Sequence, residues 1–215
     1  MNISSAKHAA LGVWSIICLL PLALCLFSCT EKDEEGEYDN WRARNQQFID
    51  SIAQVAATNA DGTWAIYKAY NIGDDSTLYI GQTNYFIYVK KLEKGTGTTY
   101  PMYADSVRIH YSGRLIPTMQ HPQGYCFGKS YSTNELNEDT DVPTIFCVNR
   151  NLTWFTTALI HMHEGDRWIV YVPYYLGQGD KDYTNGKIPA YSSLIMDVKL
   201  AKIYRSKIDK DTSWH

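Results

Sequence analysis

Residues 151–173, NLTWFTTALIHMHEGDRWIVYVP, change their period halfway along, and that change decides the fold. In the first half Trp154, Ala158 and Met162 recur every four residues and so share one stripe of a helix. Thr153 is the expected N-cap and Gly165 the expected stop. From Arg167 onward RWIVYVP alternates instead, as a half-buried strand does.

The alternation continues on both sides. TWAIYKAY (63–70), TLYIG (77–81), NYFIYVKKL (84–92), DSVRIHYSGRLI (105–116), TIFCVN (144–149) and SSLIMDVKLAKIY (192–204) all read as strands separated by Gly, Asp, Asn and Pro. In the last, Leu194, Met196, Val198 and Leu200 alternate with Asp197 and Lys199, the pattern of a sheet with one wet face. Upstream, YDNWRARNQQFIDSIAQVAATN (38–59) reads as a further helix, with Trp41, Phe48, Ile52 and Val55 near one stripe and Asp39 or Asn40 as N-cap. It is expected to end near Asn59–Gly62 and to pack on the domain without chemistry of its own. Mostly antiparallel strands around one short internal helix predict an α+β domain with an appended N-terminal helix.

Composition agrees and narrows the possibilities. Of 215 residues 45 % are apolar, enough for a core, and 17 Tyr with 6 Trp favour strands. A net charge of −3 with no basic stripe argues against a nucleic-acid partner. Residues 9–28, AALGVWSIICLLPLALCLFS, form an uncharged run after Lys7 and have signal-peptide character. A run of twenty could also span a bilayer as a helix. Its end, Leu26-Phe27-Ser28-Cys29, resembles the lipobox of bacterial lipoproteins. That resemblance implies cleavage before Cys29 and acylation of its thiol and amine. More than one acyl chain anchors stably where a single chain is marginal. The acidic run TEKDEEGEYD that follows is a solvated tether, and it also resembles the surface-export signal of Bacteroidetes lipoproteins. The resemblance favours an outer-membrane lipoprotein on the cell surface over a periplasm-facing one. Only Cys126 and Cys147 then stay in the folded part, and their apolar flanks (YCF, FCV) predict two buried free thiols rather than a disulfide.

One gap interrupts the strand pattern. Between WIVYV and SLIMDV runs a polar segment, PYYLGQGDKDYTNGKIPAYS (173–192), too long for an idle turn in a compact domain. The pieces DSVRIHYSGRLI, YCFGKSY, PTIFCVN, NLTWFTTALIHMHEGDRWIVYVP, YYLGQG and KIPAYSSLIMDVKLAKI occur in an order that resembles the FK506-binding-protein family of prolyl isomerases. The family fold is a twisted antiparallel sheet wrapped over one short helix. The resemblance divides the chain into a signal peptide (1–28), the tether (29–38), a helix with accessory strands (39–84), the family-like domain (85–205) and a tail (206–215).

In that family the gap arches over an aromatic pocket that takes a prolyl ring. Carried onto this sequence, the resemblance makes Trp154 the floor and Tyr111, Phe127, Ile188 and Met196 the walls. A backbone N–H near Leu152 would hold a substrate carbonyl. Gln178 stands where the family has a rim Tyr, and Gly128 where it has an Asp after the Phe; Thr144 replaces a common aromatic. The implied activity is cis/trans isomerisation of prolyl bonds in exported or cell-surface proteins, weakened by these departures. The alternatives are a peptide-binding module without catalysis and a structural lipoprotein whose pocket is covered by its own appended segments.

No cofactor is implied, and the metal-like signals are weak. His110, His161, His163 and Glu164 lack the converging spacing of a metal site, with His161 and His163 expected in solvent beside Met162. DKDYTNGKIPAY places Asn185 and Tyr191 where a calcium loop needs Gly and Glu.

Overall fold

The structure, a computed structural model, describes residues 36–73 and 82–206. The apolar run 9–28, Cys29, the tether up to residue 35, the strand expected at 77–81 and the tail from 207 lie outside the described residues. The described residues from Glu37 onward form one compact unit.

Among the described residues seven strands make one antiparallel sheet. They are β1 (Trp64–Lys68), β2 (Phe86–Glu93), β3 (Ser106–Leu115), β4 (Cys126–Lys129), β5 (Thr144–Cys147), β6 (Arg167–Val172) and β7 (Leu194–Tyr204). The order is β1-β2-β6-β7-β3-β4, with β5 also on β3. The last of these seven strands, β7, is therefore central. It pairs with β3 from Ser106↔Tyr204 to Leu115↔Leu194 and with β6 from Arg167↔Lys199 to Val172↔Leu194. The other edge of β3 is shared: β4 takes Ser112–Arg114 and β5 takes Ser106–Ile109.

Alternation sorts the two faces as the sequence predicts. Val107, Ile109, Val170, Val172, Leu194, Met196, Val198 and Leu200 are buried in one core cluster. On the opposite face Arg167 grips Asp197 through Nε (3.0 Å) and Nη2 (2.8 Å), a two-pronged pair, while Lys199 meets Glu93 at 2.7 Å and also Glu138.

The helix α1 (Trp41–Thr58) ends as expected, Asn59 in the left-handed region (φ 44°) donating to Val55 O. Its start is also where it was expected, with Asn40 at the N-cap position, but Asn40 is left-handed (φ 52°) and its side chain makes no capping bond. The buried stripe is Trp41, Asn45, Ile49 and Ala56, shifted from the one read in the sequence; Phe48 and Ile52 are only partly buried and Val55 is half exposed. A polar residue, Asn45, masked the stripe.

The internal helix α2 (Thr153–Leu159) has Leu152 as N-cap, not Thr153. Thr153 already lies inside the first turn, where its carbonyl accepts a bond from Thr157 Oγ1. Every residue from Trp154 to Leu159 is buried, so α2 is a core helix and not a one-sided one. The helix stops before Gly165, which instead turns (φ 90°) where it crosses Gly95. A Cβ on Gly95 would lie 2.1 Å from Glu164 O, so the two backbones meet at glycine.

Candidate functional site

A cavity of about 290 Å³ opens between β3, β5, the start of α2 and the 178–191 segment. Ile109, Tyr111, Phe146, Trp154, Phe155 and Met196 supply its apolar surface, and Asn151, Leu152, Gln178 and Tyr183 its rim. Each arrives there by a local rule. Ile109 and Tyr111 are alternate residues of β3, and Val107↔Phe146 pairing brings Phe146 alongside them. Trp154 and Phe155 open α2, which is tied to the end of β5 by Thr156 Oγ1 donating to Val148 O at 2.6 Å.

The aromatic rings form a continuous array. Tyr111 meets Phe146 edge-on at 5.9 Å, Phe146 meets Phe155 at 5.2 Å, and Phe155 meets Trp154 edge-on at 5.3 Å. Trp154 is 5 % exposed, and its Nε1 is shielded and finds no partner among the described residues. The indole thus serves the cavity with its apolar face. At the rim Asn151 Nδ2 donates to Cys147 O at 2.6 Å, and the Leu152 N–H bonds no described residue.

The polar gap folds into a small hairpin. Tyr183 and Ile188 exchange backbone bonds of 2.9 and 3.1 Å, around a turn whose Thr184, Asn185 and Gly186 all have positive φ. Tyr191 N donates to Gly179 O at 2.9 Å and closes its base. Ala190 N is held by Asp182 Oδ1 at 2.7 Å, which gives that acidic residue a turn-forming use. The hairpin overhangs the cavity with Gln178 at its root and Tyr183 near its tip.

Of the residues singled out in the sequence, Tyr111, Leu152, Trp154, Gln178 and Met196 line this cavity. Phe127 and Ile188 do not. Ile188 is 2 % exposed and belongs to the core beneath the hairpin. Phe127 stands beside Gly113, where its ring and the Met196 sulfur both crowd the glycine. Phe146, Phe155, Ile109, Asn151 and Tyr183 were not singled out. For Phe146 the signal was present, since TIFCVN alternates and Phe146 follows Thr144 by two.

Other expectations change too. Cys126 is a free thiol but exposed, and Cys147 is half-buried. In β4 alternation turns Phe127 inward, so Cys126 faces out opposite Arg114. His161 and His163 are not in open solvent: His161 stacks on Tyr67 at 4.1 Å with Nδ1 2.8 Å from Thr157 O, and His163 lies 4.0 Å from the Tyr100 ring. Among the described residues no group of three or more His, Cys, Asp and Glu is placed to hold a metal, and no helix is long and apolar enough to cross a membrane.

Residues 97–201 match the family described as FKBP-type peptidyl-prolyl cis-trans isomerase. The chain is 34 % identical over 114 residues to a macrophage infectivity potentiator of Trypanosoma cruzi, covering 53 % of this chain and 51 % of that one. It is 28 % identical over 124 residues to an FKBP-type 22 kDa peptidyl-prolyl cis-trans isomerase of Escherichia coli strain K12, covering 58 % and 53 %. The chain thus spans about half the length of these two relatives. Among solved structures, FkpA from Escherichia coli superposes with a TM-score of 0.51 at 21 % identity, covering 77 % of this chain and 62 % of FkpA. A peptidyl-prolyl cis-trans isomerase from Pseudomonas syringae pv. tomato DC3000 gives a TM-score of 0.50 at 18 % identity, covering 75 % and 96 %. These two likenesses establish the fold.

Proposed function

We propose that the protein catalyses cis/trans isomerisation of X–Pro bonds, taking as premise the match of residues 97–201 to the FKBP-type peptidyl-prolyl cis-trans isomerase family. The observation that carries the reading is the Trp154-floored cavity, aromatic on its walls and overhung by Gln178 and Tyr183. Rotation about a prolyl imide meets a barrier of about 18–20 kcal/mol, set by resonance, and no covalent bond is made or broken. A catalyst has to hold the ring, exclude water from the imide and favour the twisted form over the planar one. Twisting removes resonance and draws density off the carbonyl oxygen, so an apolar enclosure favours the twisted form. Trp154, Phe146, Phe155 and Met196 provide that enclosure. The Leu152 N–H stands ready for a substrate carbonyl, and the Gln178 amide can donate to the twisted imide.

The test is a protease-coupled isomerisation assay on prolyl tetrapeptides with purified full-length protein in detergent. A rate above the uncatalysed one that Trp154→Ala abolishes supports the reading; no acceleration sinks it. A second reading has Gln178 and Gly128 as its support, since neither supplies the acidic or phenolic group usual at those places. On that reading the cavity binds prolyl peptides without turning them, and peptide-induced change in Trp154 fluorescence without catalysis would be its mark.

The finer reading concerns place. The run 9–28, Cys29 after a small residue, and the acidic TEKDEEGEYD support an outer-membrane lipoprotein held at the cell surface through Cys29, acting on exported or surface proteins. Cys29→Ser should leave the precursor uncut and unacylated. A Ser variant that is still processed and still enters the detergent phase would overturn the anchor.

A further inference from the structure

We propose that helix α1 is a working part of the prolyl site, with Trp41 and Asn45 as positioning residues that hold the 179–191 hairpin over the cavity; this rests on the reading of that cavity as the prolyl site. The hairpin's own bonds are few. The Tyr183–Ile188 bridge and the Tyr191–Gly179 bond close it, and Lys181 to Lys187 are all exposed. Asp182 Oδ1 also holds Ala190 N and the buried Ile188 seats the hairpin on the core, which leaves the angle of the arm leading down from Pro189 to contacts from outside the hairpin.

That angle is set at the descending arm, and the setting comes from α1. Trp41 Nε1 donates to Ser192 Oγ at 2.9 Å across 151 positions of sequence, and Ser192 Oγ in turn donates to Pro189 O at 2.6 Å. Ser193 N donates to Asn45 Oδ1 at 2.7 Å, while Asn45 Nδ2 donates to Trp41 O at 2.7 Å. Asn45, Ser192 and Ser193 are each 1 % exposed or less. A wholly buried amide on an appended helix is a poor choice for packing alone, because an apolar side chain would fill the site without needing partners. Here both ends of the amide are used, and one of them fixes the backbone three residues before Met196. On the outer side Arg42 sits 4.6 Å from the centre of the Tyr191 ring and Tyr174 meets it edge-on at 5.3 Å. Tyr191 has φ 62°, a conformation costly for a bulky residue and sustained by these contacts.

The experiment is hydrogen exchange followed by mass spectrometry on the full-length protein, wild type against Trp41→Phe and Ser192→Ala. Trp41→Phe keeps an aromatic ring in place with some loss of packing and removes the donor; Ser192→Ala removes that bond and the Pro189 bond with it. Exchange in 180–191 should quicken by about tenfold, the equivalent of one lost bond, while amides of β3 and β6 stay protected. In the isomerase assay KM should rise with little change in kcat. If Trp41→Phe loosens the whole sheet, Asn45→Ala, which frees the Ser193 N–H from α1 and leaves the Ser192–Pro189 bond in place, decides alone. Unchanged exchange in the hairpin overturns the proposal whatever the activity. A hairpin that loosens in a protein with no isomerase activity supports the positioning role and refutes the enzyme reading instead.

Discussion

The ring of Phe127 occupies the space that a side chain on Gly113 would need. A Cβ at Gly113 would come within 2.5 Å of that ring and 2.9 Å of the Met196 sulfur. This pair joins the outer layer of the site to its wall, although the two residues lie on different strands. Gly113→Ala should therefore push Phe127 and Met196 toward the cavity and cost about 1–3 kcal/mol of stability through overpacking. Urea unfolding measures the cost, and a raised KM for prolyl peptides measures the narrowing. An unchanged unfolding midpoint would show that Phe127 swings away freely.

Trp154 separates shape from hydrogen bonding. Trp154→Ala removes the floor and should cost about 3–5 kcal/mol along with all turnover. Trp154→Phe removes a buried N–H that has no partner among the described residues, so part of the lost packing is offset by relief of its desolvation. Its stability should fall by no more than about 2 kcal/mol. A Phe variant as unstable as the Ala variant would mean that the indole nitrogen does find a partner.

The two departures from the family pattern have unequal consequences. Gln178 lines the cavity, whereas Gly128 does not, and a Cβ on Gly128 would meet nothing within 4 Å. Gln178→Tyr should raise kcat, because a rim phenol adds a contact worth about 0.5–1.5 kcal/mol to the twisted imide, or about fivefold in rate. Gly128→Asp should fold normally and change kcat little. If Gly128→Asp raises turnover and Gln178→Tyr does not, the cavity rim has been assigned to the wrong strand.

Much of this site was legible in the chain, and the missing parts share a cause. Alternation in SSLIMDVKLAKIY marked which residues of that strand face inward, and the resemblance then placed Tyr111, Trp154 and Met196 in the site; the stripe through Trp154 was narrower than the buried surface of α2. Phe146 and Phe155 escaped because each depends on a register between elements, Val107↔Phe146 and the Thr156–Val148 bond. Ile188 was expected at the wall and is buried beneath the hairpin, a depth that the fold of the 183–188 turn sets and the local pattern does not show. Asn45 was invisible because its partner, Ser193, lies 148 positions away.

Asp105 gives a pH test of the fold. It is 2 % exposed, and burial by itself would raise its pKa; the bonds from Met102 N (2.7 Å), Ser206 N (2.9 Å) and Arg205 (2.6 Å) outweigh this and hold the carboxyl below its usual range. A carboxyl lowered on folding stabilises above its unfolded pKa of about 3.9, and that stability is lost as pH falls through the folded value. Unfolding free energy should be level from neutral pH into the weakly acidic range and drop below about pH 4. Asp105→Asn should lower stability at pH 7 by about 1–3 kcal/mol and flatten the acid decline. A mutant with the same acid limb as the wild type would assign that limb to other carboxylates.

The central place of β7 governs how the chain can assemble. Its eleven residues are the last regular element among the described residues, yet they separate β6 from β3 in the sheet. A chain lengthening from its N-terminus can pair β1 with β2 and β2 with β6, but β3 and its short partners stay detached until Leu194–Tyr204 arrives. The buried bonds from α1 to Ser192 and Ser193 wait for the same stretch. The dominant contacts are therefore the most distant in sequence, which slows folding and exposes intermediates. A ribosome-held or truncated form ending before residue 194 would be two open half-sheets with unpaired edges, a natural target for chaperones and proteases.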